Sequence, residues 1–216
     1  CKAFGYSKKD KSWQGMLFFS DLNILFFPVY TRLGVAWISS ERILKEAGLT
    51  EDKATNKGNN IVFAQEKIEG NKESGYINLG WLNLPYEMKS LDINVTAIQE
   101  LPFDKKDIII VPDSLISQII NSNLEVRTSV SIDPITGAAK EGALFTSEAI
   151  PRGTIFYGSI RIFDKTGIIN NNDLPSTEDI KEALCDSRKY YETLGIGGMT
   201  TRGFGRMKVF LQPKKI

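Results

Sequence analysis

Near its C-terminus the chain reads Gly197-Gly198-Met199-Thr200-Thr201-Arg202-Gly203-Phe204-Gly205-Arg206-Met207-Lys208-Val209, four glycines, two hydroxyls and three cations in thirteen residues. That mixture suits a polyanion. Glycine permits positive φ and lets the main chain approach a ligand closely, and successive unobstructed N–H groups form an anion-binding concavity. Gly197, Gly198, Gly203 and Gly205 supply the backbone, Thr200 and Thr201 the hydroxyls, Arg202 and Arg206 the charge. A phosphodiester chain is the first ligand to consider.

Two phosphate motifs fail against this run. A P-loop needs Gly-Lys-Ser/Thr opening a helix, and a dinucleotide fingerprint needs strand, glycines, then helix. Here the order is reversed. Residues 178–194 read as a helix with Ile180, Ala183, Leu184, Ser187, Tyr191 and Leu194 on one stripe, Thr177 as N-cap and acids in the first turn. The glycines end it, and Phe204 to Leu211 reads as a strand. A plain helix C-cap followed by a flexible turn would use the same glycines.

The absence of histidine and the presence of only two cysteines, Cys1 and Cys185, remove several mechanisms. No Ser-His-Asp or Cys-His catalysis, histidine general base or usual zinc site can be built. Hydrolysis would need acids with a hard metal, or a lysine or tyrosine. Sparse cysteines suit a reducing cytosol, and no apolar run reaches membrane-spanning length. The sequon Asn94-Val95-Thr96 carries no weight without a signal peptide.

At 216 residues, 42% hydrophobic and 25% charged, the composition is globular, and one large or two small domains would fit. The net charge of +1 argues against a uniformly basic coat. Charge is nonetheless uneven: from Arg202 onward there are five cations and no acid, and Lys2, Lys8, Lys9 and Lys11 face Asp10 alone. By contrast Asp173 to Glu192 holds six acids and three bases. Such local footprints fit a protein that grips nucleic acid along one groove, and equally fit solvated termini. The chain runs from Cys1 almost directly into Phe4-Gly5-Tyr6 and reads as a piece of a longer polypeptide.

The elements that must position these residues follow from pattern. Residues 16–27 form an apolar strand with a polar interruption at Ser20 to Asn23, which Pro28 is expected to break. Gly34 to Ile38 reads as a second strand, and Ser39 or Ser40 caps a helix through Ile43, Leu44 and Ala47 that stops at Gly48. Residues 50–60 are a polar loop, and 61–95 suggest a meander or hairpins punctuated by Gly70, Gly75 and Gly80. Ile108 to Val111 reads as a strand, and Asp113 caps a helix over Ser114 to Asn121 with Leu115, Ile116, Ile119 and Ile120 inward.

Residues 125–152 read as a long hairpin. Glu125 to Ile132 alternates, Asp133-Pro134-Ile135-Thr136-Gly137 has turn chemistry, and Ala143 to Ile150 returns. Its tip, Pro134, Ile135, Ala138 and Ala139, is apolar, which suits a protein contact, an exposed turn, or a wedge between bases.

With these segments side by side the chain resembles the RAMP superfamily of CRISPR proteins, and more narrowly the repeating backbone subunit of the type III-B (Cmr) RNA-guided effector. The match is carried by Phe4-Gly5 with Gly15-Met16-Leu17-Phe18-Phe19-Ser20-Asp21, by Pro28-Val29-Tyr30-Thr31-Arg32-Leu33-Gly34-Val35-Ala36-Trp37, by the hairpin with Glu141-Gly142-Ala143-Leu144-Phe145, and by Gly197 to Val209.

The resemblance implies an α+β fold: a modified ferredoxin-like, RRM-type palm with an inserted β-hairpin thumb and a C-terminal glycine-rich loop. Residues 1–216 would be one RAMP domain lacking its N-terminal βα unit, with the thumb at about 125–152 and the loop at 197–205. Implied partners are guide crRNA, target RNA, copies of itself in a helical backbone and the other effector subunits, in the cytoplasm and without a membrane. The loop would hold guide phosphates. The thumb, with Arg127, Pro134, Ile135, Ala138, Ala139 and Lys140, would kink the guide–target duplex. Its four acids and three bases leave it no net cationic grip, so it must act by insertion.

Family members cut target RNA with a divalent metal, Mg or Mn, using an aspartate in the N-terminal βα unit. That motif is not matched by Asp10, Asp21 or Asp133, so no catalytic residue, metal ligand or cofactor is assigned to this chain, and Asp21 is expected to be structural. Sequence before Cys1 is expected to hold a strand and a helix flanking that aspartate. A standalone repeat-RNA processing endonuclease and, outside the family, a protein-interaction module remain as alternatives.

Overall fold

Two glycines cross at the start of the chain. The φ of Gly5 is 88°, and a Cβ on it would sit 2.7 Å from the Gly15 nitrogen, while one on Gly15 would sit 2.6 Å from the Phe4 carbonyl. No other residue fits both positions. The crossing closes the ladder of β1 (Gly5–Lys8) and β2 (Lys11–Gln14) and delivers β3 (Leu17–Phe19), with Met16 N–H donating to the Ala3 carbonyl at 2.7 Å.

The structure, a computed structural model, describes residues 3–8, 11–51, 61–64, 74–89, 92–95, 98, 100–165 and 174–212, with Lys11 described by its backbone alone. Cys1, Lys2, Lys9, Asp10, most of the 50–60 loop, Gly70, Thr96 and the last lysines lie outside these residues. The chain divides into two units, Cys1–Leu22 with Gly158–Ile216 (unit 1) and Asn23–Tyr157 (unit 2).

Unit 2 is built on β4 (Asn23–Thr31), β5 (Gly34–Ser39), α1 (Glu41–Glu46), β6 (Val62–Ala64), β7 (Ser74–Leu79), β8 (Leu82–Met88), β9 (Ile108–Ile110), α2 (Asp113–Ser122), β10 (Glu125–Ile132), β11 (Ala139–Ala149) and β12 (Ile155–Tyr157). Seven of these strands form one mixed sheet in the order β12-β4-β5-β9-β6-β8-β7, with β5/β9 and β6/β8 parallel. Alternation sorts the side chains to two faces. Phe27, Val29, Ala36, Ile38, Val62, Ala64, Ile109 and Val111 pack against Ile116 and Ile119 of α2. Phe26, Phe63, Ile108 and Ile110 pack with Leu44 of α1 and Phe103 on the other. Ser40 caps α1, accepting from Ile43 N–H at 3.3 Å.

One expectation about the sheet fails here for a physical reason. Pro28 does not break the strand; it lies inside β4 opposite Trp37. The flanking strand β12 reaches only as far as Phe26, so a missing N–H at Pro28 deprives no ladder on that side. Pro85 repeats the arrangement in β8, one residue before the ladder with β6 begins at Tyr86. The start of α2 also differs: Pro112 occupies the N-cap, Asp113 is the first helical residue, and no side chain caps it.

Unit 1 continues with β13 (Ile160–Ile162), antiparallel to β3, and α3 (Thr177–Leu194). Ser20, rather than Asp21, ties these strands: Ser20 Oγ accepts from Ser159 N–H at 2.8 Å and donates to the Asp21 carbonyl, whereas the Asp21 side chain is exposed. Buried Lys165 donates to the Gln14 carbonyl at 2.6 Å, with its ammonium 5.0 Å from the Trp13 ring. Among the described residues no helix is long and apolar enough to cross a membrane.

Candidate functional site

α3 delivers the glycine loop. Its N-cap is Ser176, not Thr177: Ser176 Oγ accepts from Asp179 N–H at 3.1 Å while Asp179 Oδ2 accepts from Ser176 N–H at 3.0 Å, a reciprocal capping box. The Ser176 hydroxyl, and then its N–H, hold the Asp179 carboxyl below its ordinary value; the Thr177 hydroxyl, followed by Lys181, does the same for Glu178. Along the stripe read from the sequence only Ile180 is buried; Leu184 and Ser187 are half-buried, and Ala183, Tyr191 and Leu194 are exposed.

The helix stops at Gly195, whose N–H donates to the Tyr191 carbonyl at 2.9 Å. A neck then forms. Ile196 N–H donates to the Gly205 carbonyl at 2.9 Å, a Cβ on Gly195 would sit 2.9 Å from that carbonyl oxygen, and a Cβ on Gly205 would collide with the Ile196 carbonyl. Inside the neck one 3-10 turn spans Thr200–Arg202, flanked by left-handed Met199 (φ 57°) and Gly203 (φ 88°). That turn and its exit use the N–H groups of Arg202, Gly203 and Phe204. Among the described residues no backbone carbonyl takes those of Gly197, Gly198, Thr200 or Thr201, and a Cβ at 197, 198 or 203 would meet nothing within 4 Å.

Of the residues singled out in the sequence, six lie in the loop, Gly205 forms its neck, and exposed Arg206 follows. The loop has backbone donors that no described backbone carbonyl takes, room at its glycines and exposed guanidinium groups at Arg202 and Arg206. The strand expected over 204–211 is not formed. Residues 206–212 make no ladder with any described strand, and Val209 N–H donates instead to Glu192 Oε1 at 3.1 Å, because strand propensity without a neighbour yields only extended chain.

The hairpin belongs to unit 2. β10 matches its expected span, while β11 begins at Ala139 rather than Ala143 because a bulge leaves Ser131 facing residues 140–143, with Gly142 at φ 72°. At the tip Asp133 Oδ1 accepts from the N–H groups of Ile135 and Thr136, at 2.8 and 3.2 Å, and Gly137 N–H returns to the Asp133 carbonyl. Ile135 is held out at 93% exposure, with Pro134, Ala138, Ala139 and Lys140 exposed around it. Arg127 is paired along its own strand with Glu125 at 2.8 Å, so it adds little free charge.

One surface escaped the sequence reading. Exposed Tyr30, Tyr76 and Trp81 gather where the β4–β5 turn meets the β7–β8 turn, beside Arg32, whose Nη2 donates to the Tyr76 carbonyl at 3.2 Å. The local signal was an aromatic in a two-residue Gly80-Trp81 turn; the juxtaposition spans more than forty residues of chain.

Metal chemistry finds no support in these side chains. Among the described residues no group of three or more His, Cys, Asp or Glu could hold an ion, so the residues present do not fit the divalent metal that the resemblance implies.

A chain with a helix entering a glycine-necked loop in one unit, and a mixed sheet with a capped hairpin in the other, has known relatives. The RAMP superfamily model matches residues 1–208, and the chain belongs to that superfamily. It is 27% identical over 227 aligned residues to the CRISPR system Cmr endoribonuclease Cmr4 of Pyrococcus furiosus, covering 98% of this chain and 74% of that protein. Its fold is similar to a chain of the type III-B Cmr-beta complex bound to cognate target RNA, with a TM-score of 0.58 and 18% identity over 92% of this chain and 71% of that one. Oligomeric Cmr4 from Pyrococcus furiosus gives 0.53 and 21% over 88% and 71%.

Proposed function

We propose that this chain is a guide-RNA-binding backbone subunit of a type III-B CRISPR effector that recognises complementary target RNA. The observation that carries it is the likeness to Cmr4 along almost the whole chain, whose relatives include a complex bound to target RNA and an oligomer. Guide crRNA, target RNA, further copies of the chain and other effector subunits are its partners, and the cytoplasm its compartment.

On this reading residues 1–216 act as one RAMP domain with a ferredoxin-like palm, the hairpin at 125–152 is the thumb, and the loop at 197–205 grips guide phosphates. Open N–H groups and exposed arginines bind a backbone without reading its sequence, as any guide requires. The capped tip presents Ile135 as an aliphatic wedge. Target cleavage with Mg or Mn belongs to a subunit carrying the family's acidic loop, and no step of it is assigned to the described residues.

Filter binding of single-stranded RNA against salt tests the grip. Replacing Arg202 and Arg206 together by Ala lowers the salt slope by roughly 1.4, about 0.7 per lost phosphate contact on a single strand. An unchanged slope and affinity would sink the loop assignment. Deleting Asp133 to Ala139 spares guide binding but alters the spacing of target cuts in a reconstituted effector.

A further inference from the structure

The ends of β4 and β7 are locked together although the two strands are not ladder neighbours. Gly80 N–H donates to the Tyr30 carbonyl at 2.9 Å, Arg32 N–H to Asn78 Oδ1 at 2.9 Å, and Arg32 Nη2 to the Tyr76 carbonyl at 3.2 Å. Gly80 turns at φ 62°, where a Cβ would strike the Asn123 amide, itself anchored by Nδ2 donating to the Ile119 carbonyl at 2.8 Å. Trp81 thus projects from a turn with a fixed backbone, and it is 91% exposed. Tyr30 (75%) and Tyr76 (62%) also point away from the core, each alternating with a buried neighbour, Val29 and Ile77. Tryptophan is normally well covered in a folded chain, so this exposure is unusual.

Charge around these rings is sparse, and exposed Glu87 stands two residues along β8 from Pro85, the ladder partner of Tyr76. Residues 28–40 and 74–86 contain one cation, Arg32, and no carboxylate. Stacking on an indole or phenol face is open to every base whatever its identity. We propose that Trp81, flanked by Tyr76 and Tyr30, stacks a nucleobase of single-stranded RNA, giving unit 2 a base contact that complements the phosphate grip of the glycine loop. This rests on the RNA-binding reading above. The aromatic faces take the base.

The test uses the full chain with a mixed-sequence single-stranded RNA and an abasic strand of equal length. Trp81→Ala is expected to weaken binding to the base-bearing strand about 10- to 100-fold, Trp81→Phe about 3-fold or less, both with the salt slope unchanged. On the abasic strand Trp81→Ala and wild type are expected to bind alike. Stacking is overturned if Trp81→Ala binds base-bearing RNA like wild type while the Arg202/Arg206 double variant is weakened, a result that leaves the RNA-binding reading intact. It is equally overturned if Trp81→Ala leaves RNA affinity alone but lowers self-association in sedimentation, which makes the patch a protein contact. A wild-type chain that binds neither strand at low salt overturns the underlying reading itself.

Discussion

Units 1 and 2 hold their shapes by different means. Of the hydrophobic side chains buried among the described residues, all but Met16 and Ile180 lie in unit 2. Unit 1 instead leaves Phe4, Phe18, Phe19, Leu194 and Ile196 exposed and relies on backbone geometry: the Gly5/Gly15 crossing, the Ser20–Ser159 ties, the Ser176 box and the Gly195–Gly205 neck. Unit 2 is therefore the stable frame. A unit held by glycines and hydrogen bonds can order around a ligand, and regions that open most readily are those with few buried apolar contacts.

The sharpest way to break this comparison is at the centre of unit 2. Phe27→Ala removes a ring with no exposed surface and is expected to cost about 3–5 kcal/mol, read as a lowered urea midpoint. A cost as small as that of a surface change would refute the frame role.

Gly205→Ala comes next. The new methyl meets the Ile196 carbonyl at a backbone φ of 67°, costing about 1–3 kcal/mol of local strain. Amide exchange should quicken across 195–205 and RNA affinity fall, while the main urea midpoint stays put. If that midpoint moved as far as for Phe27→Ala, the two units would melt as one.

The smallest effect sharpens unit 1 alone. Ser176→Ala should cost about 1 kcal/mol by loss of the cap. Glu178 and Asp179 have folded pKa values below ordinary, so their stabilisation is full above the unfolded carboxylate range and is lost as pH falls through the folded values. Acidification should therefore fray α3 before the unit 2 sheet, as read by NMR of the two sets of amides, and Ser176→Ala should reduce the Asp179 share of that dependence.

What local chemistry governs was readable from the residues. The glycines that stop α3, the Asp133 turn, and β9 followed by α2 each depend on a few adjacent side chains. What failed needed a distant neighbour. Amphipathy marked the apolar stripe of α3 but could not say whether anything covers Tyr191 and Leu194. Phe204 to Leu211 has strand character, yet no described strand lies beside it. Tyr30 and Trp81 become one surface only through hydrogen bonds between remote turns.

Pro28 and Pro85 bear on assembly as well as on fold. Each stands where its flanking strand runs out, so that its missing N–H deprives no ladder there. Open sheet edges accept strands indiscriminately. At these two places the ring nitrogen has nothing to donate, so stray strand addition is discouraged and recognition is left to side-chain surfaces that can discriminate.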